Sequence, residues 1–163
     1  MRVGIGYDIH TLVPKRNLVL GGVPIPFDRG LSGHSDADVL THAIMDALLG
    51  AAGLKDIGTH FPPGEPMYKD ISSLILLDKV KDLVGSKGFK INNIDATVVT
   101  EQPKLAPFID AMRQKLCQIL GIEIEQVMVK ATTAEGLDFV GKGQGIAAYA
   151  IASLNEKASG AKI

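Results

Sequence analysis

Residues 36 to 52 constrain this chain more than any other stretch, because they read as a helix with little surface left for water. Val39, Leu40, Ala43, Ile44, Ala47, Leu48 and Ala51 recur at helical spacing and make one buried stripe. Asp38, His42 and Asp46 stand four apart along another face, yet Met45 and Leu49 flank them, so that face is not freely solvated either. A helix covered on two sides has to lie inside a layered fold, and a polar stripe in apolar surroundings needs partners. Ser35 reads as the N-cap, with Asp38 three residues on completing capping-box spacing, which starts the helix near Asp36. Gly50 or Gly53 ends it. Chemistry is expected where the polar loop Gly33-His34-Ser35 meets His42.

The remaining segments supply the layers. Residues 2 to 10 form a strand whose Gly4 and Gly6 let another backbone come close, and period two puts Asp8 and His10 on one side with Ile9 facing away. Asn17 to Leu20 and Val23 to Phe27 flank Gly21-Gly22, the signal for a hairpin with a primed turn. Leu54 to Pro66 is rich in Gly, Pro and polar groups without period and reads as a loop, expected to cover a site. A second amphipathic helix spans 71 to 86 and looks structural, a strand runs from Phe89 to Thr100, a third helix covers about 107 to 120 and stops at Gly121, and another strand covers 126 to 132. Residues 146 to 154 are apolar at both parities, which suits a strand covered on both faces or held in a subunit interface. Hairpin and crossover connections are mixed, so the expected fold is α+β, a mixed β-sheet with helices packed on one face, in a single domain 1–163 with about 156–163 a loosely ordered tail.

Composition narrows the function classes. There is no Trp and aromatics are 5%, so the core is aliphatic; the net charge of -1 leaves no electrostatic footprint for nucleic acid. The single cysteine, Cys117, excludes an internal disulfide, sits in a helical apolar pattern and reads as core. With no signal peptide or long apolar span in view, a cytoplasmic protein is expected, with no membrane partner.

Two clusters carry chemistry. Asp8, His10 and His42 make a three-ligand set of the kind catalytic zinc takes, leaving a fourth position for water or substrate. Asp38 and Asp46, one turn either side of His42, are candidates to orient it. The competing reading makes Asp8 a turn cap and the histidines ordinary residues, and spacing alone does not decide between them. Lys130-Ala131-Thr132-Thr133-Ala134-Glu135-Gly136 leaves a strand with hydroxyls and N–H groups able to grip phosphate, and Glu135 able to hold a hard cation such as magnesium, although Thr-Thr at a strand end is often just a turn. Gln102-Pro103-Lys104-Leu105-Ala106 offers a cation and a stiffened backbone edge that could read a base.

Taken together, Gly4-x-Gly6-x-Asp8-x-His10, His34-Ser35-Asp36-x-Asp38 with His42, Asp46 to Ala51, Asp56-Ile57-Gly58, Lys130 to Thr133 with Glu135, and Gly145 to Ala148 resemble the 2-C-methyl-D-erythritol 2,4-cyclodiphosphate synthase family of the non-mevalonate isoprenoid pathway, from Arg2 to about Leu154. The resemblance implies a homotrimer with sheets around a central cavity and active sites between subunits. It implies that the 2-phosphate of a cytidine diphosphate-linked methylerythritol attacks the β-phosphorus, closes a cyclic diphosphate and expels CMP. Asp8, His10 and His42 would bind zinc, and Glu135 magnesium or manganese. His34 and Thr133 would be catalytic, donating to phosphate oxygens.

The implied substrate contacts are Asp8, Ile9, His10, His34, Ser35, Asp56, Ile57 and Gly58, a closing loop of Phe61, Pro62, Pro63, Gly64 and Glu65, and a cytidine pocket of an adjacent subunit made by Thr100, Glu101, Gln102, Pro103, Lys104, Leu105, Ala106 and Thr132, with Thr133, Ala134, Glu135, Phe139 and Lys142. Lys142 stands where the family typically carries Arg and Gln144 where Glu is usual, near the trimer axis where some members hold an isoprenoid diphosphate; a point charge does not replace a bidentate fork there. Asp138 stands in the same region where Gly is common. Two other readings fit parts of the pattern: a zinc hydrolase of nucleotide diphosphates, told apart by a linear product, and a non-catalytic trimer that binds such nucleotides.

Overall fold

The computed structural model describes residues 1–157. In chain order it runs β1 (Arg2–Pro14), β2 (Leu18–Leu20), β3 (Val23–Ile25), β4 (Arg29–Leu31), α1 (Val39–Ala52), α2 (Ile57–His60), α3 (Ser73–Ser86), β5 (Phe89–Val99), α4 (Ile109–Leu120), β6 (Val127–Thr132), α5 (Asp138–Gly141) and β7 (Gly145–Glu156). Five strands form one sheet in the order β4-β1-β7-β5-β6, antiparallel except for β5 and β6, while β2 and β3 make a separate hairpin. The fold is therefore α+β with a mixed sheet. α1 packs on β1 and β7, α3 on β5, and α4 on β6, all on the same face.

That face is built by strand parity. Ile146, Ala148, Ala150, Ala152 and Leu154 of β7, Ile94, Ala96 and Val98 of β5, and Val127 and Val129 of β6 are buried against the helices. The small side chains of β7 and the glycines of β1 let α1 come down to the strand backbone. A Cβ on Gly6 would meet the Ala43 carbonyl oxygen at 1.9 Å, and one on Gly4 the Ala47 carbonyl oxygen at 2.1 Å. The close approach expected of these two glycines is thus made by α1, and it sinks the helix until twelve of its fourteen residues are buried.

The opposite face is open. Val3, Ile5, Tyr7, Tyr149, Ile151 and Met128 project from it and remain between 47% and 70% exposed. β7 is thus covered on one face only within this chain, despite its apolar residues at both parities.

Several boundaries differ from expectation. α1 begins at Val39, with Asp38 rather than Ser35 as its N-cap. The reason is non-local: the Asp38 carboxylate accepts from the amides of Gly21 and Gly22 at 2.9 and 2.7 Å as well as from the Thr41 amide and hydroxyl. Both turn glycines have positive φ, 56° and 71°, which directs their amides to that carboxylate. Ala37 at φ 56° interrupts helical geometry before residue 38. β1 continues past residue 10 because β4 pairs with Leu12, Val13 and Pro14. The segment read as loop 54–66 contains the one-turn α2, capped by the Asp56 side chain on the Thr59 amide. Glu156 is a strand residue paired with Phe89, and the Lys157 amide donates to the Gly88 carbonyl, so the tail does not begin at 156; residues 158–163 lie outside those described. Cys117 is buried as expected, and burial pushes its thiol pKa up. No helix among the described residues is long and apolar enough to cross a membrane.

Candidate functional site

Asp8 and His10 lie on the helix side of β1, two residues beyond Gly6, where α1 leaves the strand exposed to its first turn. His42 projects from that turn. Asp8 Oδ2 lies 2.9 Å from His10 Nε2 and 2.9 Å from His42 Nδ1, and the two ring nitrogens are 3.3 Å apart. Burial disfavours the Asp8 charge, but hydrogen bonds and charge interactions with His10 and His42 outweigh it and hold the carboxyl well below the usual carboxylate range. Burial also opposes charge on His10, and the Asp8 carboxylate outweighs that in turn, raising its pKa.

The outer nitrogens are already committed. His10 Nδ1 sits 2.6 Å from the Ser32 carbonyl oxygen, which only accepts, so Nδ1 carries a proton and Nε2, which faces Asp8, is the nitrogen a metal would take in place of that nitrogen's own proton. His42 Nε2 lies 2.9 Å from the Ser73 hydroxyl and 3.3 Å from that of Ser35. Asp8, His10 and His42 each offer one atom within 4.8 Å of the others. Tetrahedral zinc with bonds of about 2.1 Å would place its ligand atoms roughly 3.4 Å apart. The observed 2.9 to 3.3 Å is close to that, and three converging acceptors suit a divalent cation better than they suit one another.

A cavity of about 250 Å³ opens over this cluster. Of the residues expected from sequence, Asp8, His10, His34, Ser35, Ile57, Gly58, Phe61 and Pro63 line it together with His42; Met45, Tyr68 and Leu76 also do. His34 Nε2 is 2.9 Å from the Glu65 carbonyl, an acceptor that ties the 61–65 loop over the opening. Ile9 does not join them, since it faces the open side of the sheet. Asp56 is spent on Thr59. Pro62, Gly64 and Glu65 belong to the loop without lining the cavity.

The second cluster forms a separate corner at the same end of the sheet. Asp8 is in register with Ala148, Ala148 with Val98, and Val98 with Ala131, so three strand spacings separate β1 from β6. At about 4.8 Å each, that is roughly 14 Å. Here the Thr100 amide donates to the Thr132 carbonyl, and the Thr100 hydroxyl to the Gln102 carbonyl. The Glu101 carboxylate accepts from the Ala134 amide at 2.8 Å, and the Thr133 hydroxyl donates to Glu135 at 2.8 Å. Lys104, Leu105 and Ala106 follow Pro103 into α4, Leu105 being buried. Phe139 packs beside Gly145, and Lys142 caps the end of α5. Within one chain, therefore, Glu135 and Thr133 do not meet Asp8, His10 and His42.

The residues around His42 also differ from the sequence reading. The Asp38 side chain does not hydrogen-bond the His42 ring: its carbonyl accepts from the His42 amide at 3.0 Å, and its carboxylate serves the hairpin and the helix start. Asp46 accepts from the Ile57 amide at 2.8 Å and so places α2 at the cavity rim; burial raises its pKa. The side chains that do reach His42 from outside the ligand set are Ser35 and Ser73, and Ser73 donates in turn to Asp36. Ser73 came from a helix that read as purely structural; its place, just after the Ser72 cap at the helix start, was the available signal.

Residues 1–155 match the model of the YgbB family. The 2-C-methyl-D-erythritol 2,4-cyclodiphosphate synthase of Moorella thermoacetica is 58% identical over 161 residues, covering 99% of this chain and 99% of its own. That of Desulforamulus reducens is 59% identical over 156 residues, covering 96% and 99%. Among solved structures, IspF of Plasmodium falciparum in complex with CDP superposes with a TM-score of 0.84 at 34% identity, covering 96% of each chain.

Proposed function

The chain belongs to the YgbB family, and on that premise we propose how its two corners carry the family's reaction. It is an enzyme, a phosphorus-oxygen lyase that converts 4-diphosphocytidyl-2-C-methyl-D-erythritol 2-phosphate to 2-C-methyl-D-erythritol 2,4-cyclodiphosphate with release of CMP. The observation that carries the mechanism is the convergence of Asp8, His10 and His42 under a cavity with both imidazoles turned inward.

Asp8, His10 and His42 would hold zinc and Glu135 magnesium or manganese, and such cations would supply positive charge to the diphosphate. A phosphate nucleophile and a diphosphate repel each other, so the chain's task is to position them and neutralise charge. His34 and Thr133 donate to phosphate oxygens. Ser35 and Gly58 hold the methylerythritol end, Asp56 stiffens the turn that presents Gly58, and Phe61 to Glu65 exclude water. The main chain from Thr100 to Ala106, with Thr132, grips the cytidine, and Ala134, Phe139 and Lys142 are further substrate contacts outside that pocket. The 2-phosphate oxygen then bonds to the β-phosphorus as the bond to the CMP oxygen breaks.

The two corners complete one site when each comes from a different copy in a homotrimer, with the open sheet faces turned inward around a cavity. The exposed apolar side chains of that face support this. An isoprenoid diphosphate at the axis would meet Lys142 and Gln144 in place of a guanidinium fork.

Phosphorus NMR of the protein incubated with the substrate, zinc and magnesium tests the reading. Cyclic diphosphate and CMP should appear together and cease with chelator; linear phosphate products would move the protein to the hydrolase class. Glu135→Ala should weaken magnesium activation about tenfold or more while leaving the zinc content unchanged. Equal loss of both metals would contradict two separate metal positions.

A further inference from the structure

His42 differs from His10 in what holds its outer nitrogen. A backbone carbonyl fixes the His10 proton, because it can only accept. Ser73, 2.9 Å from His42 Nε2, can accept or donate, so the hydroxyl by itself does not determine which ring nitrogen keeps a lone pair. Asp36 removes that freedom. Its Oδ1 accepts the Ser73 hydroxyl proton and its Oδ2 accepts the Ser73 amide at 3.0 Å. The aspartate is itself fixed: its amide donates to the Ile71 carbonyl at 3.1 Å, and the Asp70 amide donates to the His34 carbonyl at 2.8 Å, so the two segments are laced together on either side of the contact. Ser73 is fully buried and His42 nearly so, which leaves little water to compete.

We propose that Asp36 and Ser73 are positioning residues that act through His42: the carboxylate accepts a hydrogen bond from the serine hydroxyl, the serine oxygen accepts one from His42 Nε2–H, and Nδ1 is left as the lone pair directed at the metal position beside Asp8 and His10. This rests on the reading of Asp8, His10 and His42 as a zinc site. A hydroxyl oriented the other way would donate to Nε2 and place the ring proton at Nδ1, where it blocks coordination. Asp36→Asn disturbs this in either orientation: NH2 at the Oδ1 position donates to the Ser73 oxygen and turns its proton toward Nε2, and NH2 at the Oδ2 position is set against the Ser73 amide and displaces the segment that carries the hydroxyl.

The test is the zinc dissociation constant, measured by competition with a chromogenic chelator on the purified full chain, with thermal unfolding of the metal-free protein alongside. Ser73→Ala and Asp36→Asn are each expected to weaken zinc about 10- to 100-fold, as expected for loss of a partner that orients a ligand. The double variant should be no weaker than the weaker single one, because both act through one chain of hydrogen bonds. Ser72→Ala removes the neighbouring cap on the Leu74 amide and is the control: it should lower the unfolding temperature and leave zinc affinity within twofold. Zinc affinity within twofold of wild type in Asp36→Asn and Ser73→Ala, multiplicative losses in the double variant, or an equal loss in Ser72→Ala would each overturn the relay. If Ser73→Ala does not fold, Asp36→Asn decides alone. A wild-type protein that takes up no zinc overturns the metal reading itself, an outcome distinct from a wild type that binds zinc as tightly as its variants.

Discussion

His42→Ala should leave a folded protein that retains no zinc and has lost about 10³-fold or more in turnover. The size follows from what the side chain does. In the proposed metal site it would supply one of three ligand atoms, and it comes from a different element than the other two, so Asp8 and His10 alone would leave two donors on one strand. Lewis-acid stabilisation of a reacting diphosphate is worth several kcal/mol, and about 4 kcal/mol corresponds to a thousandfold. Folding should survive, because His42 lies at the polar end of α1 while Ile44, Met45, Leu48 and Leu49 carry the packing. Metal analysis of the purified variant, its turnover by phosphorus NMR and its circular dichroism check the three parts separately. Retained zinc with lost turnover would mean the site lies elsewhere.

Gly6→Ala is the substitution expected to cost the fold most. Its Cβ would lie 1.9 Å from the Ala43 carbonyl oxygen and 2.8 Å from the Ala47 amide nitrogen. Both are backbone atoms, so no rotamer change relieves the clash. β1 cannot retreat either, since residues 2 to 11 are paired continuously with β7. The helix has to lift, which opens the core beneath it and moves His42 away from Asp8. Destabilisation of about 4 kcal/mol or more is expected, at the upper end of single substitutions. Gly50→Ala gives the contrast: it is exposed, its Cβ would have 4.0 Å to the Ile5 oxygen, and alanine is the better helix former by about 1 kcal/mol. Urea unfolding of the two variants should therefore move in opposite directions, and a loss below about 1 kcal/mol in Gly6→Ala would contradict the close-packed account.

What could be read from sequence was whatever repeats at short range. Asp8 and His10 share a strand face by period two, Gly21-Gly22 announces its turn, and the α1 stripe declares a sunken helix. The failures share a different cause. Asp38 looked like the third residue of a capping box because its other partners, the amides of Gly21 and Gly22, are distant in sequence. Ser73 looked like one more polar residue at a helix start, since its link to His42 needs α3 laid beside α1. The one-turn α2 escaped notice because it is held by Asp56 and Asp46 rather than by any apolar period. Apolar residues at both parities of β7 said that both faces matter, without saying that one chain covers only the first.

Arg2 pairs with Leu154 and Thr11 with Gly145, so the strand carrying Asp8 and His10 is flanked by the one that follows every other described element. During synthesis Asp8 and His10 leave the ribosome early, yet the strand paired along their length is made after all the helices among the described residues. Pairing this distant in sequence is slow, because the loop it closes is most of the chain. The sheet neighbour along Asp8 and His10 is thus the last to be made, and a ribosome-stalled chain lacking β7 should be unable to hold the ion however many of its helices have formed.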